Sequence, residues 1–170
     1  MHFFNSKKKS ILPLYNKIVL LTRKNFFYND FKLSDSFTNR IYLIFFHLSF
    51  ILMALKNKQS DKNDQQAIFD FFFIQIEANY RELGYGDITV NKKMKDLINL
   101  FYDILIKCNN WQKLQMNNKS NLLLNFFTIN YDNKILINKL TDYFDKFSHF
   151  IENISLNSIT KGVFNFVYRE

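Results

Sequence analysis

Proline and cysteine occur once each in these 170 residues, as Pro13 and Cys108, and glycine and histidine only three times each. A single cysteine excludes an internal disulfide and fits a reducing compartment. So few glycines and prolines exclude the many tight turns of an all-β protein and favour long helices. Acidic residues are also scarce: 15 against 23 lysines and arginines, a net charge of +8. Lysine outnumbers arginine 19 to 4, and Asn, Lys, Ile, Phe and Tyr are abundant together. Part of the positive charge is therefore coding bias. No secretory signal is read at the start, because the lysines of residues 1–10 are not followed by an apolar stretch and a small-residue cleavage site.

Apolar residues are plentiful, at 48% of the chain, so a disordered protein is excluded. Phenylalanine occurs 21 times, more than one small core needs. The surplus predicts that some rings line an open groove, with Phe71, Tyr80 and Tyr85 as candidates from their off-stripe or corner positions. The run Ile41–Leu55 is the most apolar. Its length as a helix, roughly 22 Å, falls short of the roughly 30 Å hydrocarbon core of a bilayer. His47 lies in its middle and Arg40 and Lys56 flank it. A buried central helix is the better reading than a membrane span.

Periodicity places the other elements. Pro13 suits the first turn of a helix that puts Leu14, Ile18 and Leu21 on one face. Residues 25–31 form a short aromatic connector, and Ser34 or Ser36 caps the central helix. Residues 57–63 read as a polar loop. Phe69, Phe72, Phe73, Ile76, Tyr80 and Leu83 recur at helical spacing, as do Met94, Leu97, Ile98, Phe101, Ile104 and Leu105. Residues 109–120 read as a short helix and loop. A last long helix carries Leu136, Leu140, Tyr143, Phe147, Phe150 and Ile154. After Gly162, Val163, Phe164, Phe166 and Val167 must pack somewhere or meet a partner. The expectation is an all-α, single-domain irregular bundle of six to eight helices over residues 13–170, preceded by a flexible basic tail, 1–12, that holds Lys7, Lys8 and Lys9.

Enzyme constellations are missing from the pattern. His2, His47 and His149 are scattered, and none has a second ligand at metal spacing, so no metal or cofactor is expected. His47 on its apolar helix reads as a core histidine with one hydrogen bond. Cys108 reads as a buried or half-buried thiol. Two of the three glycines, Gly84 and Gly86, bracket Tyr85 between two helical patterns. Gly84 is read as a left-handed helix stop, and Gly86 with Asp87 as the turn into the next helix. Arg81 with Glu82 or Asp87 makes either a structural ion pair or a partner contact. Lys92, Lys93 and Lys95, read in the first turn of the next helix, sit at its wrong end for cations. With Arg81 they form a positive rim suited to acidic lipid, RNA phosphate or an acidic partner.

The runs Phe69-Asp70-Phe71-Phe72, Arg81-Glu82-Leu83-Gly84-Tyr85-Gly86-Asp87, Val90-Asn91-Lys92-Lys93-Met94-Lys95 and Phe101-Tyr102 together resemble the ubiquinol–cytochrome c chaperone family. Leu14-Tyr15 through Arg23, Phe27-Tyr28, and Asn39-Arg40 through His47-Leu48 are similar to the opening helices of that family. The resemblance is clear from Leu14 to Tyr102 and rests on apolar spacing alone from Asn121 to Val167. The family usually follows Phe-Tyr with Gly-Arg, where this chain has Asp103-Ile104. Because the resemblance starts near Leu14, no mitochondrial presequence is expected. It implies a non-enzymatic chaperone for assembly of the cytochrome bc1 complex, cytoplasmic and peripheral to a bacterial inner membrane. Newly made cytochrome b would be its client, held through an apolar groove with a basic rim. Arg81, Tyr85, Asp87, Lys92, Lys93, Lys95, Phe71 and Tyr80 are the expected partner-binding residues; Gly84, Gly86, His47 and Arg40 are expected to be structural. A small partner protein and the ribosome are further partners that the resemblance leaves open; DNA is not expected. The alternative from another class is a basic helical module that binds RNA or the ribosome.

Overall fold

The computed structural model describes residues 2–127 and 134–169. Among these residues there is no strand. The helices are α1 (His2–Thr22), α2 (Asn25–Asn29), α3 (Phe37–Asn57), α4 (Lys62–Glu82), α5 (Asp87–Cys108), α6 (Met116–Leu124), α7 (Lys134–Asn153) and α8 (Leu156–Thr160), with a 3-10 turn at Trp111–Lys113. The protein is thus an all-α single domain. Pro13 lies inside α1, not in its first turn as the sequence suggests. An interior proline forfeits a backbone hydrogen bond. Burial of Ile11 and Leu14 on either side of it offsets that loss.

The bundle is organised around α3, which touches α1, α4, α5, α7 and α8. This is why the Ile41–Leu55 run is apolar on all sides: a helix surrounded by partners has no solvent face. Of its most apolar 18-residue window, 78% is buried inside the molecule, although the helix is long and apolar enough to cross a membrane. Neighbouring rings on α3 face opposite partners. Phe45 stacks on Phe73 of α4 at 5.5 Å and meets Phe101 of α5 edge-on at 5.3 Å. Phe46 packs on Phe126, Phe127 and Phe144, and Phe50 on Trp111 and Phe144.

Both candidate serines serve the start of α3. Ser36 Oγ accepts from the Asn39 backbone N–H at 3.2 Å, and Ser34 accepts twice from the Asn39 side-chain amide at 2.9 Å. Arg40 clamps the same loop with a bidentate pair to Asp35, at 2.7 and 2.8 Å, which holds the Asp35 carboxyl below its ordinary range.

His47 is fully buried. It makes two hydrogen bonds, where one was expected. Nδ1 lies 2.6 Å from the Leu43 carbonyl and Nε2 lies 2.7 Å from the Tyr143 hydroxyl. A carbonyl only accepts, so Nδ1 carries the proton and Nε2 accepts from Tyr143. Burial pushes the His47 pKa down to about 4 and that of Tyr143 well up.

The aromatic surplus is inside. From Phe26 to Phe166, every phenylalanine is buried or half-buried, and none is exposed. Phe71, expected on a groove, is 6% exposed and meets Tyr15 edge-on at 5.9 Å. The extra rings are needed because the central helix must be packed on all sides, and many make edge-to-face pairs such as those above. The segment after α8 completes this packing. Phe164 and Phe166 turn inward while Val163 and Val167 remain 70% and 58% exposed, the period-two alternation of extended chain.

Candidate functional site

The Arg81–Asp87 corner is built by a glycine-dependent helix stop. α4 ends at Glu82 with Leu83 as its C-cap, the Gly84 N–H donates to the Arg81 carbonyl at 2.9 Å, and the Tyr85 N–H donates to the Tyr80 carbonyl at 3.3 Å. This pair of bonds is a Schellman motif, which requires a left-handed residue at the position of Gly84. Its φ is +85°, as the sequence predicts. Nothing lies within 4 Å of where a Cβ would point. Replacing Gly84 with Val is therefore expected to cost about 1 kcal/mol or more, from backbone strain alone. Urea unfolding checks this, and an unchanged midpoint contradicts it. Gly86 differs: its φ of −69° and ψ of 157° are ordinary for a helix N-cap, so the backbone does not require glycine there.

α5 begins at Asp87, earlier than the lysine cluster suggests. Lys92 and Lys93 consequently fall in its second turn and Lys95 in its third. The dipole penalty expected for them has faded there, and Asp87 meets the favourable end of the helix.

The corner gathers five of the expected partner-binding residues. Arg81 donates to Glu77 at 2.8 Å and bridges across the turn to Asp87. The Tyr80 and Tyr85 rings lie edge-to-face at 5.6 Å, and Lys93 Nζ sits 5.6 Å from the first centroid and 5.0 Å from the second. Tyr80 also packs on Phe37 at 4.9 Å. Burial raises the Tyr80 pKa, so the ring stays a neutral phenol. Arg81 and Asp87 are 45% and 78% exposed, so water screens their pair and it contributes little to stability. Lys92 and Lys95 stand apart on the exposed side of α5, with no ion pair among the described residues. Phe71 does not join the group.

A row of residues missed in the sequence continues from this corner. Ile88, Lys92, Lys95, Asn99, Tyr102 and Ile106 recur at spacings of three and four, so one face of α5 carries them all. All are exposed; Ile88 reaches 88% and Ile106 72%. Leu83, 58% exposed, extends the apolar surface onto the turn. The signal was present: Ile88, Tyr102 and Ile106 lie opposite the Met94–Phe101–Ile104 stripe. In place of the family's Gly-Arg, Asp103 pairs with Lys107 at the surface and Ile104 is fully buried. Among the described residues no three His, Cys, Asp or Glu gather where they would hold a metal ion. Cys108 is buried, and burial pushes its thiol pKa far up.

Residues 29–110, which contain α3 through α5 and this corner, match the family described as ubiquinol-cytochrome C chaperone. The chain resembles the ubiquinol–cytochrome c chaperone family over that span, and the match is to its own family model. The crystal structure of the Cbp3 homolog from Brucella abortus has the same fold, with a TM-score of 0.76, 22% identity, and coverage of 98% of this chain and 96% of that one. The shared fold therefore extends through α6, α7 and α8, where the sequence resemblance rested on apolar spacing alone. Over residues 29–110 the chain is similar to the ubiquinol–cytochrome c chaperone family, and its fold as a whole is that of the Cbp3 homolog. No curated protein matches the sequence.

Proposed function

We propose that this protein is a non-enzymatic assembly factor for the cytochrome bc1 complex, as its similarity to the chaperone family over residues 29–110 suggests. It transiently holds newly made cytochrome b at the cytoplasmic side of a bacterial inner membrane. The observation that carries this reading, beside the family similarity, is the exposed row on α5 in which apolar residues are interleaved with unpaired lysines. Exposed apolar residues clustered on a folded protein's surface mark interaction sites. The groove expected from the phenylalanine surplus is replaced here by two exposed apolar groups on one side, Leu83, Tyr85 and Ile88 at the corner and Tyr102 and Ile106 further along α5, with Lys92 and Lys95 between them and Lys93 against the Tyr85 ring. Covering a few hundred Å² of apolar surface contributes several kcal/mol at about 25 cal/mol per Å², before ordering costs. That is enough for reversible holding without covalent chemistry. A small partner protein or the ribosome would meet the same face.

Charge reversal of Lys92, Lys93 and Lys95 together is expected to reduce co-isolation of cytochrome b from cells by about tenfold, in line with the effect of rim charges on association. The melting temperature should change little, because only Lys93 has an intramolecular role, a pair of ring contacts contributing about 0.5–1 kcal/mol. Unfolding of the variant would make the cluster structural. Capture of RNA that falls steeply with salt, with cytochrome b absent, would favour a nucleic-acid module instead.

A further inference from the structure

A second surface sits at the C-terminal end of α1, where a cleft of about 570 Å³ opens between α1 and the extended segment after α8. Lys17, Arg23 and Lys24 line it, and among the described residues no carboxylate does. Its apolar lining includes Phe26, with Leu20 and Val167 left 60% and 58% exposed. Lys17 and Leu20 share one face of α1 at i and i+3, and Lys24 lies just beyond the helix, in extended backbone at the start of α2. None of the three cations has an ion pair among the described residues. Lys17 sits only over the Phe164 ring, 5.8 Å from its centroid. Asp142, which meets Tyr168 near this edge, is already engaged by the Tyr168 hydroxyl at 3.0 Å and by Lys146 at 2.7 Å. The dipole of α1 favours Arg23 and Lys24 at its C-terminal end. It explains neither the open cleft, nor Lys17 further back, nor two aliphatic side chains left in water between cations.

We propose that this cleft seats the headgroup of an acidic phospholipid at a bilayer surface, with Leu20 and Val167 entering the acyl boundary. A three-cation rim without a counter-charge fits one phosphate-bearing headgroup. A cleft of this volume is in the range of small-ligand sites, and aliphatic residues flanked by lysines are the pattern of interfacial segments. The inference deepens the membrane side of the function proposed above by assigning a face to it. It does not depend on client capture, which is read separately.

The test is co-sedimentation of the full chain with phosphatidylcholine vesicles, with and without phosphatidylglycerol. The wild type should bind only the acidic vesicles and release them as salt rises. Lys17→Glu, Arg23→Glu and Lys24→Glu combined should lose about a hundredfold in binding, at roughly fivefold or more per cation near an anionic surface. Leu20→Ser with Val167→Ser, which keeps every charge, should also weaken binding. Charge reversal of Lys92, Lys93 and Lys95 should not. Three results would each overturn the proposal: no binding by the wild type, equal binding by the Lys17, Arg23 and Lys24 variant, or loss confined to the α5 variant. So would tight binding of inorganic phosphate at the cleft without any vesicle binding, which would make it a site for a free anion. Cytochrome b capture surviving in cells with the cleft variant would leave the chaperone reading standing.

Discussion

Replacing Gly162 with alanine is expected to cost about 3 kcal/mol or more, a loss of roughly 10 °C in melting temperature for a chain of this size. Two effects combine. Gly162 closes α8 in a left-handed conformation, φ +63°, with its N–H donating to the Ile159 carbonyl at 3.0 Å and the Val163 N–H donating to the Ser158 carbonyl at 2.9 Å. A Cβ at that φ is strained by about 1 kcal/mol. Steric overlap costs more. The new atom would lie 2.6 Å from the Leu14 backbone nitrogen, 2.7 Å from its Cα and 2.7 Å from the Pro13 carbonyl carbon. These are main-chain atoms of a buried helix and cannot rotate away, so α8 must separate from α1. Gly84 is the internal control: it has the same backbone demand and open space around it, so its substitution should cost only the strain. Equal losses at the two glycines would show that α8 does not press on α1 as described.

Acidification is expected to destabilise the fold through His47. Its pKa falls from an ordinary 6.5 to about 4 because burial disfavours the charged ring. The unfolded chain therefore binds a proton below pH 6.5 that the native state refuses until about pH 4. Stability from this group is complete above 6.5 and is lost as pH falls towards 4, about 3 kcal/mol in all and about 2 kcal/mol between roughly pH 7 and pH 5. Urea unfolding at the two pH values measures it. His47→Phe should be less stable at neutral pH, because the Tyr143 hydroxyl loses its acceptor, at about 1–3 kcal/mol. Its dependence on pH across that window should be much flatter than that of the wild type. Unchanged pH dependence in this variant would mean that His47 is not the group responsible.

Most of the architecture could be read from residue spacing. The stripes at Phe69–Leu83, Met94–Leu105 and Leu136–Ile154 fall on α4, α5 and α7, and the apolar run with a histidine at its centre is the buried middle of the bundle. Spacing records local burial, and these helices are long enough for the record to be unambiguous. It does not record close approach between backbones. Gly84 announced itself because two glycines fall together in a glycine-poor chain, whereas the reason for Gly162 lies in α1, at the other end of the chain. Pro13 shows the opposite failure: a local rule for helix starts was overridden by burial of its neighbours.

The site was legible in part. Arg81, Tyr80, Tyr85, Asp87 and Lys93 do meet at one corner, because the helix stop folds α4 back towards α5. The surplus of phenylalanine suggested an open groove, whereas Phe71 and the rings around α3 are buried, since composition does not say that one helix will need rings on every side. The exposed aliphatics are isoleucine and leucine, common enough to attract no attention until their place opposite the buried stripe is known.

The central claim is that the outer face of α5 holds an unfinished membrane subunit. The most direct measurement is photo-crosslinking in cells from single positions on that face, Ile88 and Ile106, with exposed Asn157 on α8 as the reference. Cytochrome b captured from the two α5 positions and not from Asn157 is the result expected. Ribosomal components in its place, or no specific product from either isoleucine, would contradict the account.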